Sequence, residues 1–178
     1  MAHTYITKLG GSAYNLDWAV GATGTNGHAD VMLIQSLFNI LYFDHEGNPG
    51  EGRSQRYFPP GDTAALVVDG RYGPLTQRYI DHFQDTLRAA DAWSMRPDHR
   101  MDPFFGASYS PIQHEPYALT LLSRYCHFGD LDTNVYSYRD LPNNPETPIG
   151  LRNALHQRKK VPAQYAYHQP KKKPVFNP

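Results

Sequence analysis

Val68-Asp69-Gly70-Arg71-Tyr72-Gly73-Pro74-Leu75-Thr76, running into Tyr79-Ile80-Asp81-His82-Phe83-Gln84, has the pattern of a tight turn that launches a helix. Gly70 and Gly73 belong to the one residue type that takes φ > 0 without steric cost. Pro74 suits the first helical position, where a missing N–H costs nothing and a fixed φ is already helical. Asp69 and Thr76 are short polar residues suited to satisfying the free N–H groups of a helix start. Taken alone, the stretch is a strong folding signal and a weak functional one.

On its N-terminal side, Val31, Ile34, Phe38 and Leu41 recur at spacings of three and four, the stripe of an amphipathic helix. Asn26 or His28 is placed to cap that helix, with Asp30 favourable in its first turn. On the C-terminal side, Leu75, Tyr79, Phe83 and Leu87 mark one face of a helix from Pro74 to about Ala90. A third helix is expected from Glu115 or Pro116 to Cys126, burying Ala118, Leu121, Leu122 and Tyr125. Thr147-Pro148 suits the start of a short fourth bearing Ile149, Leu151 and Leu155. Ile34-Gln35-Ser36-Leu37-Phe38 and Phe83-Gln84-Asp85-Thr86-Leu87 both place Gln after a core residue near mid-helix. Those two amides are suited to satisfying loop backbone groups at a helix–helix seam.

The intervening segments read as loops. Asp44 to Asp62 is rich in Gly, Pro, Arg and Glu and exceeds the usual connection of ~4–6 residues. Trp93 to Ile112 is punctuated by Pro97, Pro103, Gly106 and Pro111. Met1 to Thr25 is glycine-rich extended chain with room for one short strand, packing Trp18 against the body. Beyond Val161, Pro, Tyr, Gln and Lys leave too few aliphatics for a core, so an extended tail is expected.

The order D-V-x-x-I-Q-x-L-F, V-D-G-x-Y-G-P-x-T, I-x-x-F-Q, carried by residues 30–38, 68–76 and 80–84, resembles the small helical peptidoglycan-binding domain of cell-wall hydrolases. The match covers roughly Asn26 to Leu87, and Val20-Gly21-Ala22-Thr23-Gly24-Thr25-Asn26 resembles the glycine-rich lead-in of stand-alone bacterial relatives. Two features depart from the pattern: Asp44 to Leu66 is far longer than the usual connection, and nothing resembling a hydrolase domain follows. The resemblance implies a mainly α fold, a small orthogonal helical bundle with long loops and an extended C-terminal tail. The organisation expected is a lead-in over 1–25, a helical body over 26–160 and a basic tail over 161–178. It also implies Asp69, Gly70, Tyr72, Gly73 and Thr76 as the signature loop, and murein as the ligand.

The length suits one domain with a real core. No apolar run approaches the ~20 residues of a membrane span. No basic segment followed by an apolar stretch opens the chain, so synthesis in the cytoplasm without a signal peptide is expected. A single cysteine, Cys126, agrees with a reducing compartment. Reaching the cell wall then requires a contractile or type VI-like injection system, or phage lysis or virion entry. The zero net charge conceals a division. Up to Glu146 lie all 17 acidic residues and 10 of the 17 Lys and Arg, a net −7; from Thr147 on, seven basic residues and no acid give +7. Lys159, Lys160, Lys171, Lys172 and Lys173 therefore suit either docking on an acidic surface of this protein or of a neighbouring subunit, or an ordinary solubilising tail. An acidic body disfavours nucleic acid and anionic wall polymers alike.

Catalytic chemistry finds little support. Hydrolysing a glycan needs a carboxylate pair with one member raised in pKa. The four glutamates (Glu46, Glu51, Glu115, Glu146) show no partner pattern. His114, Glu115 and His127 lack the His-Glu-x-x-His spacing that puts two ligands on one helical face. Cys126 and His127 are adjacent on a helix and point about 100° apart, so the cysteine reads as a small buried apolar residue. No cofactor motif and no metal set is present, and the expectation is a non-catalytic protein. Thirteen tyrosines are many for this length. Tyr57, Tyr109, Tyr136 and Tyr138 are suited either to offering flat faces to sugar rings or to covering a small core. Two roles follow: a murein-binding module that targets a machine or enzyme to the wall, or a structural subunit of a multi-protein particle.

Overall fold

Helix α1, His28–Tyr42, is buried along its whole length except at His28 and Asn39, so the expected one-sided stripe is in fact the central helix of the molecule. In this computed structural model, residues 1–6, 12–43, 64–89, 97–104, 117–128 and 138–159 are described. Among the described residues, α1 is surrounded by α2 over Pro74–Ala89, α3 over Ala118–Phe128 and α4 over Ile149–Leu155, and residues 138–140 are helical as well. All four lie close to where the spacing of apolar residues puts them.

α1 packs directly on α3 and α4. Its contact with α2 runs through large rings: Phe38 lies 5.6 Å from Tyr79 and 5.9 Å from Phe83, and Tyr42 lies 5.5 Å from Tyr79. Phe83 continues the cluster edge-on to Tyr125 of α3 at 6.3 Å. Offset and edge-to-face pairs of this kind are favourable beyond the area they bury.

The face of α2 turned inward is Thr76, Tyr79, Ile80, Phe83, Gln84 and Leu87. Leu75, expected on that face, is 41% exposed, because it lies one position out of phase with Thr76. Tyr125 is only partly buried, and Ile149 faces outward while Leu151, Ala154 and Leu155 face in. Helix starts also differ from expectation. Gly27 is the N-cap residue of α1 and Pro148 that of α4, neither with a side-chain capping bond. Asn26 sits at φ +55°, and its amide bonds Gly21 and Gly24 in the loop before the helix.

The lead-in contains more regular structure than one short strand. β1 (His3–Ile6) pairs antiparallel with β2 (Ser12–Asn15), and β3 (Val20–Gly21) pairs antiparallel with β4 (Arg100–Met101). Near the end of the described chain, β5 (Arg158–Lys159) returns to pair parallel with β1, giving the order β2-β1-β5. The described residues are therefore partly helical with two small sheets, and β4 lies inside the stretch expected to be loop throughout. Ala2, Tyr14, Leu16 and Val20 join the hydrophobic core, whereas Trp18 does not: it is 56% exposed. Among the described residues no helix is long and apolar enough to cross a membrane.

The long connection over 44–62 lies outside the described residues, as do Trp93, His114, Glu115, Tyr57, Tyr109, Tyr136, Lys160 and the tail 161–178 with Lys171, Lys172 and Lys173.

Candidate binding site: two amide-clasped turns

Gln35 lies mid-way along α1, almost fully buried, and its amide closes the signature turn. The Gly70 N–H donates to Gln35 Oε1 at 3.0 Å. Gln35 Nε2 reaches Asp69 Oδ1 at 3.1 Å, the Arg71 carbonyl at 3.3 Å and Thr76 Oγ1 at 3.4 Å. One turn of helix further on, Asn39 holds the incoming chain. It accepts from the Leu66 N–H and donates to the Leu66 carbonyl, both at 2.8 Å. A buried segment needs partners for its backbone groups, and two amides four residues apart on α1 supply them.

Gln84 of α2 does the same for a second turn. The His99 N–H donates to Gln84 Oε1 at 2.8 Å, while Gln84 Nε2 donates to Asp98 Oδ1 at 3.0 Å and to the Arg100 carbonyl at 2.7 Å. In both turns the aspartate oxygen also accepts from the N–H two residues on, Arg71 at 2.9 Å and Arg100 at 3.2 Å. Both central residues are left-handed, Gly70 at φ +70° and His99 at φ +60°. The two turns are thus copies of one device. Asp69-Gly70-Arg71-Tyr72-Gly73-Pro74 and Asp98-His99-Arg100-Met101-Asp102-Pro103 share Asp-x-Arg-x-x-Pro.

The two glycines of the first turn differ sharply. A Cβ at Gly70 would stand 2.7 Å from the His28 carbonyl oxygen and 2.8 Å from its ring, so close approach and φ together demand glycine. Gly73 is not left-handed, and a Cβ there would meet nothing within 4 Å. Its carbonyl accepts the first bond of α2, from the Gln77 N–H. The expectation of positive φ at Gly73 is therefore corrected. Nor does Asp69 serve the helix start as expected: its Oδ1 takes the Arg71 N–H and the Gln35 amide. Those two bonds, in that order, hold its carboxyl below the usual aspartate range. Thr76 is buried with its hydroxyl on Gln35, which puts it beyond a ligand's reach.

The two turns are joined across the surface of α2. The Tyr72 hydroxyl donates to Gln77 Oε1 at 2.6 Å, and Gln77 Nε2 donates to the His99 carbonyl at 2.9 Å and to Asp81. Asp81 Oδ1 lies 3.0 Å from His99 Nδ1. With Nδ1–H donating to the carboxylate, Nε2 of this exposed ring is left as an acceptor. Partial burial, and then the Asp81 charge, raise the Tyr72 pKa. β3 braces the second turn from outside. Gly21, at φ +149°, approaches so closely that a Cβ would lie 2.5 Å from the His99 carbonyl oxygen.

Of the five signature residues, Asp69 is exposed, as is the neighbouring Arg71, while Tyr72 and Gly73 are partly exposed. Gly70 and Thr76 build the turn. Tyr138 is buried, accepts the Tyr14 hydroxyl on its carbonyl at 2.8 Å and has its own phenol pushed up to about 12 by burial. It is a core residue and offers no face to a sugar. Cys126 is buried too, donating to the Leu37 carbonyl at 3.2 Å, and burial raises its thiol pKa. His127 packs edge-on to Tyr138 and lies 3.4 Å from Arg139. Lys159 contributes backbone to β5. Among the described residues no group of three His, Cys, Asp or Glu is placed to hold a metal ion.

Sequence reading missed Asn39, the second turn and the Tyr72–Gln77–Asp81–His99 chain. The signal for the second turn was present in Asp-x-Arg-x-x-Pro. It hides because the clasping glutamine precedes its aspartate by 34 residues in one copy and 14 in the other, so no fixed period exists. No protein-family model matches this chain, and no curated protein or solved structure does either.

Proposed function

We propose that this protein is a non-catalytic module that binds murein and brings an associated machine or enzyme to the cell wall. The observation that carries the reading is the amide-clasped turn 69–71. Its backbone is fixed by Gln35, and Asp69 and Arg71 are exposed on it, with Tyr72 beside them partly buried and its hydroxyl on Gln77. A rigid turn with a carboxylate, a guanidinium and a phenol suits a ligand carrying amides, hydroxyls and carboxylates, as cross-linked glycopeptide does. Pre-organisation matters because ordering a loop on binding lowers affinity. Delivery by an injection apparatus or by a phage belongs to the same proposal.

Co-sedimentation of the folded protein with purified sacculi at moderate salt tests it. Retention is expected for the wild type, with retention reduced several-fold for Arg71→Ala, whose side chain lies on the surface. A wild type that stays wholly in the supernatant contradicts the proposal.

A second reading, a structural subunit of a contractile, type VI-like or phage particle, is favoured by one observation. The basic segment enters the fold through β5, at the edge of the sheet β2-β1-β5. An edge strand offers unpaired backbone groups to another chain. Deleting the chain after Val161 separates the readings: lost assembly with sacculus binding intact favours the subunit role, and unchanged assembly removes it.

A further inference from the structure

Asn26-Gly27 is the one Asn-Gly pair in the sequence, and the fold demands both residues. Asn26 is left-handed, at φ +55°, a conformation that asparagine tolerates better than most residues with a Cβ. Its side-chain amide closes the loop before α1. Oδ1 accepts the Gly21 N–H at 2.9 Å, and Nδ2 donates to the Gly21 and Gly24 carbonyls, both at 3.0 Å. Gly27 has no room for a side chain, because a Cβ there would run into Asp30 Oδ2. That carboxylate is fully buried and fixed in turn, with Oδ1 on the Asp17 N–H at 3.1 Å. The same dipeptide is the one in which asparagine most readily loses its amide, since a following residue without Cβ leaves its nitrogen a clear approach to the asparagine Cγ. Both residues are partly exposed to water.

We propose that Asn26 is a site of spontaneous deamidation, gated by its own clasp on Gly21 and Gly24, and that the product cannot rebuild that clasp. The Gly27 backbone nitrogen gives up its proton to water and bonds to Asn26 Cγ; the Cγ–Nδ2 bond breaks and ammonia leaves. Water then opens the five-membered imide at either carbonyl, to aspartate or isoaspartate. One water is consumed, one ammonia is released, and nothing is oxidised or reduced. In the closed loop the amide is pinned at both ends, which keeps Cγ from swinging to the next nitrogen. Reaction therefore runs through the locally opened loop, at a rate set by the opening equilibrium. The change is one-way. A carboxylate only accepts, so it meets the Gly21 and Gly24 carbonyls with no proton to offer. Isoaspartate also lengthens the main chain directly before the first bond of α1, from the Val31 N–H to the Gly27 carbonyl. The damage reaches the second turn, because Gly21 packs on His99 and pairs with Arg100.

The test incubates the full chain at neutral pH, folded and in urea, and follows Asn26 by peptide mass spectrometry. Deamidation is expected to be at least about tenfold slower in the folded protein. Gly24→Ala keeps the Asn-Gly pair but drives a Cβ into the Ala19 carbonyl, so its rate is expected to rise towards that in urea. Gly73→Ala, whose Cβ meets nothing, is expected to keep the wild-type rate. The wild type alone gives a second measurement. Amide exchange at Gly24 and Asn26, whose N–H groups bond within the loop, is expected to quicken in mild urea in step with deamidation. Asn26→Asp is expected to lower the urea midpoint. Equal rates in folded and unfolded wild type overturn the gate, as does exchange that quickens while deamidation does not. An unchanged midpoint in Asn26→Asp overturns the one-way consequence.

Discussion

At the scale of single residues, the fold is held by side-chain amides that close turns. Gln84→Leu removes one acceptor and a two-point donor, and strands the His99 N–H and the Arg100 carbonyl. Leaving buried polar groups unpaired costs about 1–3 kcal/mol each, so equilibrium urea unfolding is expected to show a loss of roughly 2–4 kcal/mol. Gln35→Leu behaves likewise. The glycines divide. Gly70→Ala meets both a left-handed φ and the His28 carbonyl, and is expected to cost at least about 2 kcal/mol. Gly73→Ala costs below about 1 kcal/mol, the loss of an N-cap preference.

Asp69 has a pH signature. Its folded pKa is depressed, so the native state binds fewer protons than the unfolded chain near the ordinary aspartate pKa. The stabilisation is present above that value and is lost as the pH falls through the folded one. Denaturation curves taken at falling pH are expected to show this loss in the wild type and not in Asp69→Asn. Much of this scale was legible: Gln35 and Gln84 stood out because each follows a core residue mid-helix. Which glycine needed φ > 0 was not legible, because that depends on the His28 carbonyl, brought in from another element.

At the scale of elements, periodicity located the helices but misjudged how deeply they lie. The stripe Val31, Ile34, Phe38 and Leu41 is correct as far as it goes. Met32, Leu33 and Leu37 are equally buried because α3, α4 and β3 cover the other faces of α1. Phe38→Ala, which empties the centre of the ring cluster with Tyr42, Tyr79 and Phe83, is expected to cost about 3–5 kcal/mol. Ile149→Glu, on the outward face of α4, is expected to change stability within about 0.5 kcal/mol. A thermal or urea series on the pair checks the assignment of faces. The short strands were illegible for a physical reason. β3 and β4 have two residues each, too few for an alternation of faces to register, and their pairing is set by the second turn.

At the scale of the whole molecule, chain segments far apart in sequence close on one another. β5 pairs with β1, the Thr4 hydroxyl donates to the Leu155 carbonyl, and Asn15 clasps the backbone of Phe104 from both sides. Such long-range closure leaves no local pattern, which is why the lead-in read as extended chain packing Trp18 on the body, whereas Ala2, Tyr14, Leu16 and Val20 supply part of the core. The charge division was legible from composition, whereas its partner is not. The resemblance that suggested murein rests on residues 26–87, and within them the turn 69–71 carries the exposed Asp69 and Arg71 on a backbone held by Gln35.

The central claim is that the clasped turn 69–71 lies at the murein-binding face. Backbone amide shifts of the labelled protein, followed during titration with soluble muropeptides, test it most directly. The predicted result is saturable shifts at 69–72, with the sheet β2-β1-β5 unmoved. An absence of shifts at saturating muropeptide, or shifts confined to that sheet, contradicts the account.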